Sequence, residues 1–130
     1  MADPAARQRF GPAQRLHRKA EFDNAFKEGV RAFVHGLVIY ILPAPDRSAR
    51  LGLVTSRRFG NAVRRNRARR LLREAFRLEQ ALLPALDIVA VPQAGQFPDQ
   101  LADVRRLFLA ALAKALQRAA PRSSPKRNPA

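Results

Sequence analysis

The pattern of apolar and polar positions predicts a chain that mixes helices and strands. Four short segments either alternate apolar and polar side chains or consist almost wholly of apolar residues, as strands do. They span residues 30–34, 37–42, 50–56 and 87–91. Longer segments with apolar side chains at helical spacing span residues 16–29, 61–78 and 100–117. The predicted order is therefore α-β-β-β-α-β-α.

This order predicts fold class α/β, in the form of an α+β sandwich in which helices pack on a mixed sheet of about four strands. The 130 residues suffice for a single core. The domain is predicted to span residues 15–118. Residues 1–14 and the basic tail 119–130 carry no apolar periodicity, so we expect both ends to be flexible.

The helix predicted at 61–78 carries an unusual concentration of positive charge. Between residues 57 and 77 there are nine arginines and a single acidic residue, Glu74. A helical wheel at about 100° per residue divides this helix into two arcs. The apolar arc contains Ala68, Leu71, Leu72, Ala75 and Leu78. The opposite arc contains Asn66, Arg69, Arg70, Arg73 and Arg77.

The start of this helix is suited to an anion. Asn61 stands at the cap position, where its side-chain oxygen can accept from the N–H of Val63 or Arg64. Arg64 and Arg65 follow in the first turn, where a cation opposes the helix dipole by about 0.3–1 kcal/mol. A solvated basic surface is the simpler interpretation. The density of arginines and a net charge of +15 favour nucleic acid.

Residues 56–77 read S-R-R-F-G-N-A-V-R-R-N-R-A-R-R-L-L-R-E-A-F-R. This string resembles the signature of the bacterial ribonuclease P protein subunit, S-K-K-x-G-x-A-V-x-R-N-R-x-K-R-x-x-R-E-x-F. Arginine replaces the family's frequent lysine at Arg57, Arg58 and Arg69, which keeps the charge but changes the hydrogen-bond geometry. Residues 15–22, R-L-H-R-K-A-E-F, resemble the entry to the family's first helix, with Glu21 where aspartate is common.

The resemblance implies a fold with a rare left-handed β-α-β crossover, although such units are right-handed in about 98% of cases. It also implies an RNA catalyst that removes the 5′ leader of precursor tRNA with Mg²⁺ bound mainly by the RNA. The protein would be one monomer per RNA, inactive alone, with no catalytic or metal-binding residue. It implies contacts to the catalytic RNA from Arg65, Asn66, Arg67, Arg69, Arg70 and Arg73. The concentration of arginines and the anion-binding start of the helix add four more predicted RNA-binding residues, which are Arg57, Arg58, Asn61 and Arg64. It implies contacts to the leader from Phe22, Phe26 and Tyr40.

The residues themselves suggest a binding protein. His17 and His35 lie far apart in the sequence, the carboxylates are scattered and cysteine is absent, so no metal or nucleophile constellation is apparent. No apolar run approaches the roughly 20 residues of a membrane span, and no signal core precedes the domain, so we expect a cytoplasmic protein without a membrane partner.

Three alternatives remain open. A ribosomal or general structured-RNA-binding protein would explain the charge equally well and would leave Phe22, Phe26 and Tyr40 as ordinary core residues. A DNA-binding protein would place the arginine helix in a major groove, but no helix-turn-helix partner precedes it. A free-standing nuclease ranks last, because the carboxylates for a two-metal site do not cluster in the sequence.

Overall fold

A computed structural model of the chain describes the backbone of residues 11–123 and the side chains of residues 11–120. Its helices are α1 (Lys19–Glu28), α2 (Ala62–Glu79) and α3 (Leu101–Ser123). Its strands are β1 (Val30–Val34), β2 (Leu37–Pro43), β3 (Arg50–Leu53) and β4 (Leu86–Pro92). Short 3-10 turns lie at Pro12–Gln14, Arg57–Phe59 and Gln80–Leu82. The predicted order of helices and strands is confirmed.

The four strands form one mixed sheet in the order β1-β2-β4-β3. β2 pairs antiparallel with both β1 and β4, whereas β3 pairs parallel with β4. α2 connects these two parallel neighbours, so the predicted β-α-β unit is present. The left-handed sense of this connection stays a prediction from the resemblance.

The two faces of the sheet pack against different helices. In β2, Ile39 and Ile41 belong to the main core beneath α2 and α3, while Tyr40 points to the opposite face. On that opposite face a smaller cluster of Leu16, Ala25 and Val89 packs beneath α1. The sequence pattern predicted this alternation in β2, and we call the second surface the α1 face of the sheet.

α2 packs on the core largely as predicted. Ala68, Leu71, Leu72 and Ala75 are buried, but Leu78 is only half-buried. Phe76 is fully buried although the predicted apolar arc did not include it. α3 closes the same side of the core through its buried residues Val104, Phe108, Ala111, Leu112 and Ala115.

Three boundaries differ from prediction by three residues or more. α1 starts at Lys19 rather than at residue 16, because the N–H of Leu16 donates to the carbonyl of Leu51 (3.1 Å) and Arg15 forms an isolated parallel bridge with Leu51. β3 ends at Leu53 rather than at 56. α3 runs to Ser123, so residues 119–123 continue the helix where the tail was predicted to begin. The rest of the predicted flexible ends, 1–10 and 124–130, lies outside the described residues.

A buried ion-pair network fixes α1 on the sheet. Asp87 of β4 is only 5% exposed and accepts hydrogen bonds from Arg50 Nε and Arg47 Nη2, both at 2.9 Å. Arg50 Nη1 also donates to Glu21 of α1 at 3.0 Å. The pKa of Arg50 is raised, chiefly by its hydrogen bonds to Asp87. One arginine of β3 therefore joins α1 to the strand next to it.

Candidate nucleic-acid interface

The cap of α2 forms as the sequence predicted. Asn61 Oδ1 accepts a hydrogen bond from the backbone N–H of Arg64 at 2.9 Å. Gly60 precedes it with φ +152°, where a Cβ atom would lie 3.1 Å from Cδ of Arg64. The side chain of Arg64 can therefore fold against the backbone of Gly60, so the turn holds a cation at the positive end of the helix.

The arginines predicted to bind RNA have no acidic partner among the described residues. Arg57, Arg58, Arg64, Arg67 and Arg70 are exposed, as are Asn61 and Asn66. Arg65, Arg69 and Arg73 are half-buried. None of these arginines takes part in an ion pair with a described carboxylate. Their positive charge is therefore available to an external anion.

Two of these arginines hydrogen-bond to the backbone instead. Arg65 Nη1 donates to the carbonyl of Gly60 at 2.8 Å, and Arg67 Nη2 donates to the carbonyl of Asp99 at 2.5 Å. Both contacts orient a guanidinium group without neutralising it. Arg77 differs, because its Nε donates to Glu74 Oε1 at 3.0 Å. The uncompensated charge of α2 therefore excludes Arg77, which the helical wheel had placed on the basic arc.

The structure divides the predicted basic arc into two surfaces. Asn66, Arg67 and Arg70 line a shallow depression beside Val63, and we call these three the outer arginine surface. Arg69 and Arg73 point to a different place, where they line a pocket with Arg15. We call Arg15, Arg69 and Arg73 the arginine pocket.

Two side chains of the arginine pocket, Arg69 and Arg73, are half-buried and form no ion pair with a described carboxylate. Nε of Arg69 is buried with no hydrogen-bond partner among the described residues. The pKa of Arg73 is lowered, first by burial and then by repulsion from Arg15, Arg69 and Arg70. Phe22 and Gly52 line the same pocket, which places it at the border between α2 and the α1 face of the sheet.

The predicted leader-binding residues lie together on the α1 face. Phe26 is 40% exposed, and its ring packs edge-on against Tyr40 with centroids 4.9 Å apart and an interplanar angle of 86°. Phe22 and Tyr40 are half-buried. Phe22 and Tyr40 pack against the smaller cluster of Leu16, Ala25 and Val89, and we call Phe22, Phe26 and Tyr40 the aromatic row.

Gly52 explains how Phe22 fits against the sheet. A Cβ atom at residue 52 would lie 2.6 Å from Cε1 of the Phe22 ring and 2.9 Å from Cδ1 of Leu16. Both distances are far below van der Waals contact, so the ring can approach β3 only because residue 52 is glycine. The sequence pattern did not predict this contact, because residues 22 and 52 belong to separate elements.

A further pocket of about 240 Å³ lies on the other side of α2. Its lining includes Phe59, Phe97, Arg64, Arg67 and Leu71. The two phenylalanine rings pack edge to face with centroids 5.9 Å apart. Sequence analysis missed this pocket because Phe97 belongs to the loop before α3 and reaches Phe59 only through the fold.

No group of three or more histidine, aspartate or glutamate side chains converges within the part of the chain that the structure describes. His17 is exposed, and its Nε2 lies 2.8 Å from the carbonyl oxygen of Pro12. Within the same residues no helix is long and apolar enough to cross a membrane.

Comparison with known proteins identifies the family. A family model described as Ribonuclease P matches residues 10–119. The chain belongs to the ribonuclease P protein family. The ribonuclease P protein component of Coprothermobacter proteolyticus is 42% identical over 80 residues, which cover 62% of this chain and 66% of that relative. The chain thus spans slightly less than two thirds of the length of this relative.

Solved structures of ribonuclease P proteins share the fold. The Staphylococcus aureus protein gives a TM-score of 0.72 at 26% identity, covering 79% of this chain and 95% of that one. The Thermotoga maritima protein gives a TM-score of 0.69 at 31% identity, covering 77% and 96% respectively. The α+β domain with a four-stranded mixed sheet is therefore the ribonuclease P protein fold, as the sequence resemblance implied.

Proposed function

We propose that this ribonuclease P protein binds both a catalytic RNA and the 5′ leader of precursor tRNA, and so assists Mg²⁺-dependent removal of the leader. The observation that carries the proposal is the row of α2 arginines without acidic partners beside the half-exposed aromatic row. Membership of the ribonuclease P protein family supports RNA-binding, ribonucleoprotein and tRNA-processing roles.

The outer arginine surface suits the catalytic RNA. Folded RNA presents closely spaced phosphates, and the planar guanidinium fork donates two parallel hydrogen bonds to each. Asn66, Arg67 and Arg70 lie on one rigid helix, and the cap at Asn61 adds a helix N-terminus with its own positive field. These features support docking on structured RNA without requiring a particular base sequence.

The aromatic row suits a single strand. Unpaired bases stack on aromatic rings, at about 1–3 kcal/mol per base, when cations follow the backbone. Phe26 is partly exposed beside Tyr40, and Phe22 continues the row toward the arginine pocket. The leader is the part of the substrate that mature tRNA lacks, so these contacts would distinguish substrate from product.

In this proposal the RNA supplies the catalysis and holds the Mg²⁺. The described part of the chain shows no cluster of ligands that fits a metal ion, and we assign no reaction step to a protein side chain. The protein acts by lowering repulsion between two polyanions and by positioning the leader. We propose one protein monomer per RNA, in the cytoplasm, and no cleavage by the protein alone.

Reconstitution with a bacterial ribonuclease P RNA tests the function. At near-physiological salt and Mg²⁺, the protein should raise kcat/KM for precursor tRNA above that of the RNA alone, and the holoenzyme should bind precursor more tightly than mature tRNA. The protein without RNA should leave the precursor intact. No gain over the RNA alone would refute the proposal.

Aromatic variants separate this function from general RNA binding. Phe26→Ala should weaken holoenzyme binding to precursor tRNA by about fivefold or more while binding to mature tRNA stays unchanged, because only the leader stacks there. Leu82→Ala removes an exposed apolar side chain outside the aromatic row and serves as the matched control. Equal losses for precursor and mature tRNA would favour a general structured-RNA-binding protein.

A further inference from the structure

The pocket on the side of α2 away from the arginine pocket combines an apolar wall with two cations. We call it the phenylalanine pocket, because Phe59 and Phe97 line it together with the buried Leu71. Arg64 and Arg67 also line it, and both are exposed and form no ion pair with a described carboxylate. Apolar pockets with a few convergent polar groups are typical binding sites. Neither phenylalanine has a role in the proposed function.

Two contacts hold the loop that carries Phe97 in place. At one end, the N–H of Gln93 donates to the carbonyl of Gly36, at the tip of the β1–β2 hairpin, at 2.9 Å. Gly36 has φ +93°, and a Cβ atom there would lie 2.7 Å from a carbonyl oxygen of the same loop, so this close approach requires glycine. At the other end, Arg67 Nη2 donates to the carbonyl of Asp99 at 2.5 Å. The protein's own contacts therefore fix the position of the Phe97 wall.

The phenylalanine pocket is continuous with the outer arginine surface. Arg67 lines both the pocket and the depression that it forms with Asn66 and Arg70. Arg64 lines the pocket about one helical turn earlier, next to the cap at Asn61. An RNA chain whose phosphates lie on these arginines therefore passes the mouth of the pocket.

An unpaired nucleobase has the right chemistry for this pocket. Bases stack on aromatic side chains, while neighbouring cations bind the phosphates of the backbone. The volume of about 240 Å³ equals roughly eight water molecules at about 30 Å³ each, which is room for one base and too little for a base pair. Folded RNA supplies such bases, because its loops and bulges contain unpaired bases that can turn outward.

We propose that the phenylalanine pocket binds one unpaired base of the catalytic RNA, while Arg64 and Arg67 bind the phosphates on either side of it. This inference rests on the proposed function, since it takes α2 as the helix that docks on that RNA. It gives Phe59 and Phe97 a role in RNA binding that sequence analysis did not assign. The base contact adds recognition of one nucleotide to phosphate contacts that carry no sequence information.

Chemical probing of the catalytic RNA, with and without protein, locates the nucleotide. Dimethyl sulfate and a carbodiimide together modify the pairing edges of unpaired bases of all four types. With the wild-type protein, one unpaired base should lose its reactivity. With Phe97→Ala, that base should regain its reactivity at saturating protein, and the RNA should bind about tenfold more weakly because the stacking contact is lost.

Removal of that base from the RNA completes the test. An abasic nucleotide at the protected position should weaken binding of the wild-type protein about tenfold. It should cause no further loss with Phe97→Ala, because both changes remove the same contact. Abasic nucleotides in the leader of precursor tRNA should show no such coupling to Phe97, since the proposed base belongs to the catalytic RNA.

Control variants separate the pocket from charge and from stability. Phe33→Ala removes a phenylalanine of β1 that is 42% exposed and lies outside the pocket, so it should change neither the protection nor the affinity. Arg70→Met should weaken binding and leave the base protected at saturating protein. Phe97 also packs against the main core, so circular dichroism melting establishes that each variant is folded. If Phe97→Ala does not fold, Phe97→Leu carries the test, because leucine keeps an apolar side chain there and lacks the ring.

The outcomes separate the pocket from the proposed function. If the protein raises kcat/KM of the RNA but no protected base is coupled to Phe97, the base pocket is overturned and the proposed function stands. Coupling of Phe97 to a leader base overturns the assignment to the catalytic RNA. If the RNA gains no activity from the protein, the proposed function fails, whatever the probing shows.

Discussion

Asp87 is the buried acidic residue of the described chain on which the position of α1 depends. Its carboxylate accepts hydrogen bonds from Arg50 and Arg47, and Arg50 extends the network to Glu21. Breaking a buried ion pair by removing one partner leaves the other charge uncompensated. Stability and the geometry of the α1 face are therefore coupled at this residue.

We expect Asp87→Ala to lower the free energy of unfolding by about 3–5 kcal/mol, because Arg50 would stay partly buried without its main partner. Urea denaturation followed by circular dichroism measures this change. Asp46→Ala is the matched control, since Asp46 is an exposed carboxylate that also pairs with Arg47 and should contribute no more than about 1 kcal/mol. Similar losses of unfolding free energy in Asp87→Ala and Asp46→Ala would contradict the expectation that a buried ion pair is costlier to break than an exposed one.

Glu21 gives the fold a defined sensitivity to acid. Its pKa is lowered from 4.5 to about 2, first by the hydrogen bond from the N–H of Arg18 and further by those from His17 and Arg50. A carboxyl whose pKa is lower in the folded state stabilises the fold above its unfolded pKa. That stabilisation is lost as the pH falls from about 4.5 toward 2.

Glu21→Gln should accordingly reduce the dependence of stability on pH between about 4.5 and 2. The measurement is the free energy of unfolding in denaturant at a series of pH values. Asp23→Asn, on the same helix, removes an exposed carboxylate whose one ion-pair partner among the described residues is Lys19, and should leave the slope almost unchanged. If the unfolding free energy of Glu21→Gln depended on pH as steeply as that of the wild type, folding would not lower the pKa of this carboxyl.

At the scale of elements, the first turn of α2 carries a cation where an acidic residue would stabilise the helix. Arg64 occupies the third helical position, where a glutamate would complete a capping box with Asn61 and complement the dipole. The chain instead carries an arginine there, stacked over Gly60. The first turn is therefore weaker as a helix end than it would be with an acidic residue.

We expect Arg64→Glu to raise the free energy of unfolding by about 0.5–1 kcal/mol and to weaken binding of the catalytic RNA. Thermal melting and a filter-binding titration measure the two effects. Arg64→Gln removes the cation without adding an acid, so its free energy of unfolding should lie between those of the wild type and of Arg64→Glu. A lower melting temperature for Arg64→Glu than for the wild type would contradict this expectation.

Boundaries and faces that depend on the local sequence pattern were predicted well, whereas those set by contacts between residues distant in the sequence were not. The alternation in β2 and the cap at Asn61 follow from sequence alone, and both are present. The start of α1 depends on the hydrogen bond from Leu16 to Leu51 of β3, which no local pattern reveals. The same holds for Phe76, whose burial depends on where α3 packs.

The candidate interface shows the same limit. The wheel placed Arg69, Arg70 and Arg73 on one arc, because it considers α2 as an isolated cylinder. Packing of α2 next to β3 and the residue 15 segment turns Arg69 and Arg73 toward Phe22 and leaves Arg70 outside. The motif thus indicated which residues are candidates for RNA binding, whereas their division between two surfaces required the fold.

At the scale of the whole molecule, the positions of the charged side chains are more informative than the net charge. Acidic residues of the described chain pair where the elements meet, as Asp87 does with Arg50 and Glu79 with Arg105 at 2.6 Å. The arginines of α2, apart from Arg77, have no such partner among the described residues. A large part of the positive charge of the described chain therefore lies on the surface proposed to contact RNA.

Binding of the catalytic RNA should consequently weaken steeply with salt. We expect a log–log slope of affinity against salt concentration of several negative units, since each phosphate contact contributes about −0.7 to −0.9. Arg67→Ala and Arg70→Ala should each reduce the magnitude of the slope by roughly one unit, whereas Phe26→Ala should leave it unchanged. A slope near zero would contradict the role of the α2 arginines.

Only a hydrogen atom on Gly52 separates the main chain of β3 from the ring of Phe22. The height of that ring above the sheet is therefore set by peptide geometry and not by a packed side chain. One additional methyl group at residue 52, only 2.6 Å from the ring in its present position, would lift or tilt the ring. In the proposed function, the space for a leader base beside Phe22 would therefore change with a substitution at residue 52 that leaves all three aromatic side chains in place.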